Sequence, residues 1–212
     1  MNSQELWSDF PTDIKKLFLN TAKSLNYKRG QYIYRQGELA QGIYFIESGL
    51  IGFIVTGSTS GKEHLLRFFK QGQFFGHRAL FSEEEYHGST QAIEPTVLKH
   101  VPKKIILSAF EQQPQLFYKM IKVLSKELRR SENHQVMILE NHILVRTAQA
   151  LIYLKDLHPQ HNWTRQEIAN FCASTTSTVI KALAQLEDLK LIRQTGRTIE
   201  VLNRAELIAL QD

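Results

Sequence analysis

The spacing of hydrophobic and polar positions changes twice along this 212-residue chain. Between about residues 30 and 101, short β-rich apolar runs alternate with glycines, and ten of the eleven glycines lie in this window. Many short strands with glycine turns predict a β-sandwich or jelly-roll β-barrel. Residues 91–101 are expected to supply its last strands, and the segment from about Glu5 to Leu25 is predicted to form a small helical cap. The clearest apolar runs are Tyr32–Tyr34, Ile43–Ile46, Phe53–Val55 and Leu65–Phe69.

A helical pattern begins near residue 103 and, after Pro114, predicts one long helix from about Gln115 to about Asn141. Such a helix is about 40 Å long, and packing against a second copy explains it better than a position alone on a small barrel. Its apolar residues follow the four–three alternation of a two-stranded coil, so we expect a homodimer. The alternative, a monomeric helix lying on the barrel, explains Met120 and Val123 beside the seam less well. The seam residues expected at the dimer contact are Phe117, Ile121, Leu124, Leu128 and Ile138.

The segment Trp163–Leu202 has the pattern of a helix-turn-helix followed by a β-hairpin, a shape that enters the major groove of DNA. Thr164 and Glu167 have the spacing of a capping box at the start of the first helix. The second helix is predicted to start near Thr176. Its apolar residues recur at spacings of three and four, so they share one buried face. These residues are Val179, Leu183 and Leu186.

This arrangement predicts that the outward face of the second helix and the wing face DNA. Ser177 and Lys181 lie opposite the buried face, where short polar side chains suit an approach to phosphates and base edges. Two short strands around a glycine predict a wing that brings Arg193 and Arg197 near phosphates. Lys181 is expected to contact a guanine, and Ile180 a thymine methyl group. The residues expected at DNA are Thr164, Arg165, Gln166, Ser174, Thr175, Thr176, Ser177, Thr178, Ile180, Lys181 and Arg197.

Composition narrows the class of protein. Hydrophobic residues make up 42% and charged residues 22% of the chain, as in soluble globular proteins. No apolar run approaches the ~18 residues of a membrane helix, and the polar start does not resemble a secretory signal, so we expect a cytoplasmic protein without membrane association. The single cysteine, Cys172, excludes an intrachain disulfide and a four-cysteine iron–sulfur cluster within one chain, and we expect it to be buried. A net charge of +5 permits an anionic partner without requiring one.

No catalytic residue is predicted. The sequence offers no evident nucleophile–base pair, and Gly57–Lys62 lacks the spacing of a phosphate-binding P-loop, so an enzyme is not expected. Four histidines raise the question of haem or a metal, but their spacing matches no metal-ligand template. We therefore predict no metal and no cofactor, and haem is kept as an alternative. These histidines are His64, His77, His87 and His100.

The C-terminal pattern resembles that of a known family, the cyclic-AMP receptor protein and fumarate–nitrate regulator (CRP/FNR) superfamily. Segments similar to its DNA-binding domain are Trp163–Ala169, Thr178–Val179, Leu183–Asp188 and Leu191–Ile192. Segments similar to its barrel are Gly30–Glu38, Tyr44–Gly49 and Gly72–Gly76. The resemblance therefore extends over nearly the whole chain.

The resemblance implies an α+β protein with three parts. An N-terminal jelly-roll β-barrel of the cyclic-nucleotide-binding type, with its helical cap, is placed at residues 1–113. A long dimerisation helix and hinge follow at 114–142, and a winged helix-turn-helix at 143–212. The implied function is transcription regulation by a homodimer on an inverted repeat in double-stranded DNA, with RNA polymerase as a further partner. A ligand-binding module that controls a partner protein is the alternative from another functional class.

The resemblance also gives expectations about DNA sequence. In many members the recognition helix uses Arg and Glu to read G and C. Here Thr176 and Ser177 stand at those positions, and Lys181 replaces a further Arg. The target is therefore expected to differ from the TGTGA-like half-site of the family.

The effector segment departs from the family pattern as well. Cyclic-nucleotide sensors carry Phe-Gly-Glu-Leu followed by an Arg-Ser or Arg-Thr pair, in which the Glu holds the ribose and the Arg the phosphate. Here His77 stands in place of the Glu, and Tyr86 and His87 in place of the pair, so independence of cyclic nucleotides is expected although Arg78 could substitute. Another small ligand remains an alternative, in this pocket or among Phe68, Phe69, Phe74 and Phe75. The candidate effector pocket comprises Phe75, Gly76, His77, Arg78, Tyr86 and His87.

Overall fold

The computed structural model describes residues 10–58, 61 and 63–210. They belong to two compact units, and the boundary between the units falls after Glu127 in the chain. Strands of the first unit are β1 (Lys23–Tyr27), β2 (Tyr32–Tyr34), β3 (Gly42–Ser48), β4 (Leu50–Thr56), β5 (Glu63–Lys70), β6 (Phe74–Phe75), β7 (Ser89–Ala92) and β8 (Thr96–Pro102). Its helices are α1 (Thr12–Thr21), α2 (His77–Ser82), α3 (Lys103–Gln112) and the first half of α4 (Gln115–Glu140).

The strands form two antiparallel sheets of four strands each, as a β-sandwich requires. Their orders are β1-β8-β3-β6 and β2-β7-β4-β5. In the first sheet Tyr44 lies opposite both His100 and Phe75. In the second sheet Gly52 lies between Gln91 and Phe68. The predicted jelly-roll architecture of the N-terminal part is confirmed.

Alternation along β3 divides the apolar side chains between two cores. Tyr44 and Ile46 pack in the core between the two sheets, whereas Ile43 and Phe45 point to the other face, which the helices cover. Both faces of β3 are therefore buried, because successive residues of a strand point to opposite sides. The aromatic side chains considered as a pocket, Phe68, Phe69, Phe74 and Phe75, are all buried in the first unit.

The helical cap is shorter than predicted. α1 ends at Thr21, and the next residues form β1, in which Leu25 pairs with Leu98 of β8. The prediction of helix as far as Leu25 was wrong because β1 is an edge strand with mostly exposed positions, so it lacks a run of apolar residues. Residues 1–9, which include the predicted start of the cap, lie outside the described residues.

The long helix α4 spans almost the predicted range, but some residues of its predicted dimer contact pack inside the protomer instead. Met120 and Val123 are buried in the helix-covered core of the first unit, and Leu124 packs against the same core. The barrel therefore explains Met120 and Val123, and the expectation that they need a second copy was wrong. Ile138 is partly buried. The seam residues that are exposed are Phe117, Ile121 and Leu128.

The second unit contains the predicted helix-turn-helix and wing. The turn between the two wing strands contains Gly196 at φ 59°, a conformation that glycine adopts without strain. The face of the second helix predicted to be buried, Val179, Leu183 and Leu186, is fully buried. None of the helices within the described part of the chain is both long and apolar enough to cross a membrane. The elements of this unit, after the end of α4, are α5 (Ile143–Leu157), α6 (Arg165–Phe171), α7 (Thr176–Asp188), β9 (Ile192–Thr195), β10 (Thr198–Val201) and α8 (Arg204–Ala209).

Candidate nucleic-acid interface and effector region

The start of α6 is fixed by the predicted capping box. The Glu167 amide donates to Thr164 Oγ1 at 3.2 Å, and the Thr164 amide donates to Glu167 Oε2 at 2.8 Å. His161 Nε2 lies 3.1 Å from the same carboxylate oxygen, and its ring meets Trp163 edge-on at 4.6 Å. Burial raises the pKa of Glu167, but the hydrogen bonds from His161 and Thr164 outweigh burial and hold the pKa below its ordinary value.

The turn between α6 and α7 depends on small residues. Ala173 adopts the left-handed conformation at φ 51°, and the Ser174 amide donates to the Ala169 carbonyl at 2.9 Å. Cys172 is buried, as predicted, and burial raises the pKa of its thiol to about 12. Its carbonyl accepts from Arg146 Nη1 of α5 at 3.0 Å. The supporting helix α5 therefore holds the turn in place.

The recognition helix α7 begins at a cluster of hydroxyl groups. Thr175 is its N-cap, because its Oγ1 accepts from the Thr178 amide at 3.2 Å. The same Oγ1 lies 2.7 Å from Thr178 Oγ1 and 3.0 Å from Ser177 Oγ. Hydroxyl and amide donors at a helix N-terminus form a favourable setting for a phosphate.

The outward face of α7 is open and polar. Ser177 and Lys181 are exposed on the side opposite the buried residues, as predicted. Ile180 lies beside them with half of its surface exposed (50%). This face therefore offers a cation, a hydroxyl group and one apolar contact to a ligand.

The wing is tied to both helices of the helix-turn-helix by one network of hydrogen bonds. Arg165 Nη1 donates to the Arg197 carbonyl at 2.7 Å, and Arg165 Nη2 donates to Gln194 Oε1 at 2.8 Å. The Gln194 amide and Nε2 donate to the two Glu187 carboxylate oxygens at 2.5 and 3.0 Å. Elements α6, α7 and the wing are therefore linked through Gln194. We call Arg165, Gln194 and Glu187 the wing brace.

Two other predicted DNA residues bridge the helices. Thr176 Oγ1 donates to Gln166 Oε1 at 2.5 Å, and Gln166 Nε2 donates to Asn170 Oδ1 at 2.7 Å. The structure thus brings the predicted DNA residues into the turn, the start of both helices, the outward face of α7 and the wing. Their contact with DNA stays a prediction.

The structure does not bring all the predicted effector residues into one pocket. Phe75 and Tyr86 lie in the core between the sheets, where the Tyr86 ring stacks on Tyr34 with centroids 3.5 Å apart. Burial raises the pKa of Tyr86 to about 12. His87 is exposed. Gly76 adopts φ 91°, and an added Cβ there would approach the Gly42 carbonyl at 2.9 Å.

The other two effector residues, His77 and Arg78, face a carboxylate of α4 instead. Arg78 Nε and Nη2 both lie 3.0 Å from Glu127 Oε2, and His77 Nε2 lies 3.3 Å from the same oxygen. Arg67 Nη2 of β5 donates to Glu127 Oε1 at 2.6 Å. Burial raises the pKa of Glu127, but His77 and Arg67 hold it far below the ordinary range. We call these four residues the Glu127 cluster.

Sequence reasoning missed Glu127, Arg67, Glu187 and Gln194. A signal for Glu127 existed, because it follows Met120 and Val123 at helical spacing and so continues the buried face of α4. No periodicity marks the other three, since Arg67 is 60 positions from Glu127, and the contact between Glu187 and Gln194 joins a helix to a strand. Among residues 10–58, 61 and 63–210, no group of His, Cys, Asp and Glu side chains is arranged to hold a metal ion.

Comparison with known families gives two matches. Residues 24–113 match the model of the cyclic nucleotide-binding domain, and residues 145–210 match that of the Crp-like helix-turn-helix domain. The two matched segments coincide with the sandwich and with the helix-turn-helix and wing.

Curated proteins and solved structures agree with these matches. The chain is 27% identical to the cyclic AMP receptor protein of Thermus thermophilus, covering 85% of this chain and 84% of that protein. It is 24% identical to the transcriptional activator protein anr of Pseudomonas aeruginosa, covering 86% and 78% respectively. The structure of FixK2 from Bradyrhizobium japonicum is similar with a TM-score of 0.80 at 24% identity, covering 90% of this chain and 98% of that one. A transcriptional regulator of the crp/fnr family from Eubacterium rectale also reaches 0.80, at 18% identity, covering 100% and 99%.

Proposed function

Because the chain belongs to the CRP/FNR family of DNA-binding transcription regulators, we propose that it binds an inverted repeat in double-stranded DNA as a homodimer, without a cyclic nucleotide. A twofold dimer presents two recognition helices to major-groove faces about 34 Å apart, which matches an inverted repeat. Relatives are named as transcriptional regulators and activators. RNA polymerase is accordingly proposed as a further partner.

The outward face of α7 is the observation that carries the proposal. Lys181 and Ser177 are exposed there, and Ile180 lies beside them. Lysine can donate to guanine O6 and N7, and an aliphatic side chain can contact a thymine methyl group. Thr176 and Ser177 offer no charged group for base reading, so the preferred half-site is proposed to differ from the family's TGTGA-like sequence.

The residues at the effector positions of the barrel support the proposal that DNA binding needs no cyclic nucleotide. A bidentate arginine is the group that best fixes a phosphate anion, and Tyr86 and His87 stand where the family pattern has Arg-Ser or Arg-Thr. Tyr86 packs inside the core, and Arg78, the nearest substitute, is already held by Glu127. Cyclic AMP and cyclic GMP are therefore expected to change neither the melting temperature nor the DNA affinity, which thermal melting and fluorescence anisotropy will measure.

Selection of duplexes from a random library by the full chain tests DNA recognition. Lys181→Ala should change the preferred base at one position in each half-site, with a loss of about 1–3 kcal/mol on the best sequence. Arg197→Ala should weaken all duplexes alike and reduce the salt slope by about 1. Lys16→Ala, at an exposed lysine of α1, is the control and should change neither.

Two results would contradict the proposal. If the wild-type chain selects no sequence above the random background, specific DNA recognition is contradicted. If the chain selects single half-sites without an inverted partner, binding as a symmetric dimer is contradicted, but the proposed DNA-binding face is not.

A further inference from the structure

A buried carboxylate surrounded by cations is the strongest feature of the first unit that DNA recognition does not explain. Glu127 is only 6% exposed, and both of its oxygens accept charge-assisted hydrogen bonds within the Glu127 cluster. Two guanidinium groups on one carboxylate form the arrangement by which proteins bind anionic ligands. The cluster is therefore an anion site whose anion belongs to the chain itself.

The position of the cluster connects it with effector binding. Arg67 lies on β5, and His77 and Arg78 form the start of α2, within the segment that corresponds to the family's effector contact. Glu127 lies on α4, and this helix continues without a break to Glu140 in the second unit. An effector works by favouring one arrangement of the chain over another, and the cluster joins the barrel to the helix that leads out of it.

We propose that Glu127 is a tethered ligand, whose carboxylate fills an anion site of the barrel and fixes α4 there without any small anionic effector. The inference rests on the proposed function and deepens it, because it names what replaces the effector. Since the carboxylate is part of the chain, it competes with free anions at a high effective concentration. Aromatic rings border the site on one side, because Arg67 lies over the Phe69 ring and His77 meets the Phe74 ring edge-on, whereas about half of the Arg78 side chain is exposed.

Removal of the carboxylate provides the test. Glu127→Ala leaves the cations of the cluster around a space that a small carboxylate can enter. We expect the variant to bind its selected duplex about 10-fold more weakly, within the ~5–150-fold range typical of coupling between sites. Acetate should restore the affinity saturably, whereas acetamide, its neutral analogue, and sodium chloride at the same ionic strength should not.

Two variants control the experiment. Glu132→Ala, at an exposed glutamate of the same helix, should bind DNA like the wild type and show no response to acetate. Glu127→Gln keeps the volume of the side chain but not its charge, so it should bind DNA weakly and resist rescue because the amide occupies the site. Calorimetric titration with acetate should detect binding to Glu127→Ala and none to the wild type.

Each outcome decides a separate point. Wild-type DNA affinity in both Glu127→Ala and Glu127→Gln would overturn the inference, and so would equal effects of acetate and acetamide. If Glu127→Ala does not fold, the DNA affinity of Glu127→Gln alone decides. If the wild type binds no duplex at all, the proposed function fails, and acetate binding by Glu127→Ala still tests the anion site.

Discussion

Two buried glutamates fix local and distant parts of the chain: the partners of Glu167 are three and six positions away, whereas Arg67 and Glu127 are 60 positions apart. Glu167 accepts from the cap of α6 and faces His161, and Glu127 joins α4 to the barrel. An isolated buried carboxylate is unfavourable because it leaves water. Both glutamates nevertheless have a pKa below the ordinary value, since their partners stabilise the charged form more than burial disfavours it.

The lowered pKa of Glu167 predicts how the stability of the second unit depends on pH. A depressed pKa in the folded state stabilises the fold fully above the ordinary value of 4.5, and the stabilisation is lost as the pH falls below it toward the folded pKa. Glu167→Gln should therefore lower the free energy of unfolding at pH 7 by about 1–2 kcal/mol. The difference from the wild type should shrink steadily below pH 4.5.

Denaturant titration followed by Trp163 fluorescence measures this effect. The Trp163 side chain is buried, and a Trp7→Phe background makes it the only tryptophan. Glu200→Gln is the control, because Glu200 lies in an exposed ion pair with Arg193 and such pairs contribute little. A Glu167→Gln deficit that stayed constant from pH 7 to below 4.5 would show that charge is not its cause.

At the scale of elements, we predict that the wing brace positions the wing for DNA binding. The Gln194 side chain accepts a hydrogen bond from Arg165, and Gln194 donates two hydrogen bonds to Glu187. Gln194→Ala should release the wing, so that it weakens binding to every duplex and lowers the salt slope in the same way as Arg197→Ala. If both changes act through the wing, the double variant should bind no more weakly than Arg197→Ala alone.

The double-mutant cycle is measured by fluorescence anisotropy at several salt concentrations. Gln112→Ala, at an exposed glutamine of α3, is the control and should leave affinity and salt slope unchanged. Additive losses from Gln194→Ala and Arg197→Ala would mean that the two residues act independently and that the brace does not position the wing.

Local patterns predicted the elements well, but not the contacts between them. The capping box at Thr164 and the buried face of α7 each occupy a few turns of sequence, so residue types and spacing suffice. Arg67 and Glu127 are 60 positions apart, and no periodicity relates them. Leu25 was misassigned for the same reason, because its place in β1 depends on pairing with Leu98. Contacts over long sequence separations follow from the assembled sheets rather than from the local pattern.

At the scale of the whole molecule, α4 has one buried face and one exposed apolar face. Glu127 is buried against the barrel, whereas its neighbour Leu128 is 60% exposed, because successive residues point about 100° apart around a helix. Phe117 and Ile121 continue the exposed apolar face toward the start of the helix. If this face binds a second copy, the Glu127 cluster on the other face sets the position of the dimer helix on the barrel.

Disruption of the exposed face should therefore separate the protomers without unfolding the barrel. Leu128→Glu and, independently, Ile121→Glu place a charge in the predicted seam, where burial without a partner is unfavourable. Sedimentation velocity should show a dimer for the wild type and monomers for both variants. Circular dichroism should show that both variants stay folded, with lower melting temperatures because the stabilisation by dimerisation is lost. Leu39→Glu, at a loop leucine that is 65% exposed, is the matched control and should remain dimeric.

The same variants test whether DNA symmetry depends on the dimer. The wild type should prefer an inverted repeat to a single half-site by about 100-fold or more, because the second recognition helix binds at a high effective concentration. A monomeric Leu128→Glu chain should lose this preference but keep the base specificity of Lys181, since α7 is unaltered. Dimers that persist in both charged variants would mean that another surface joins the protomers. Retained preference for the inverted repeat in a monomeric variant would mean that DNA itself assembles the two copies.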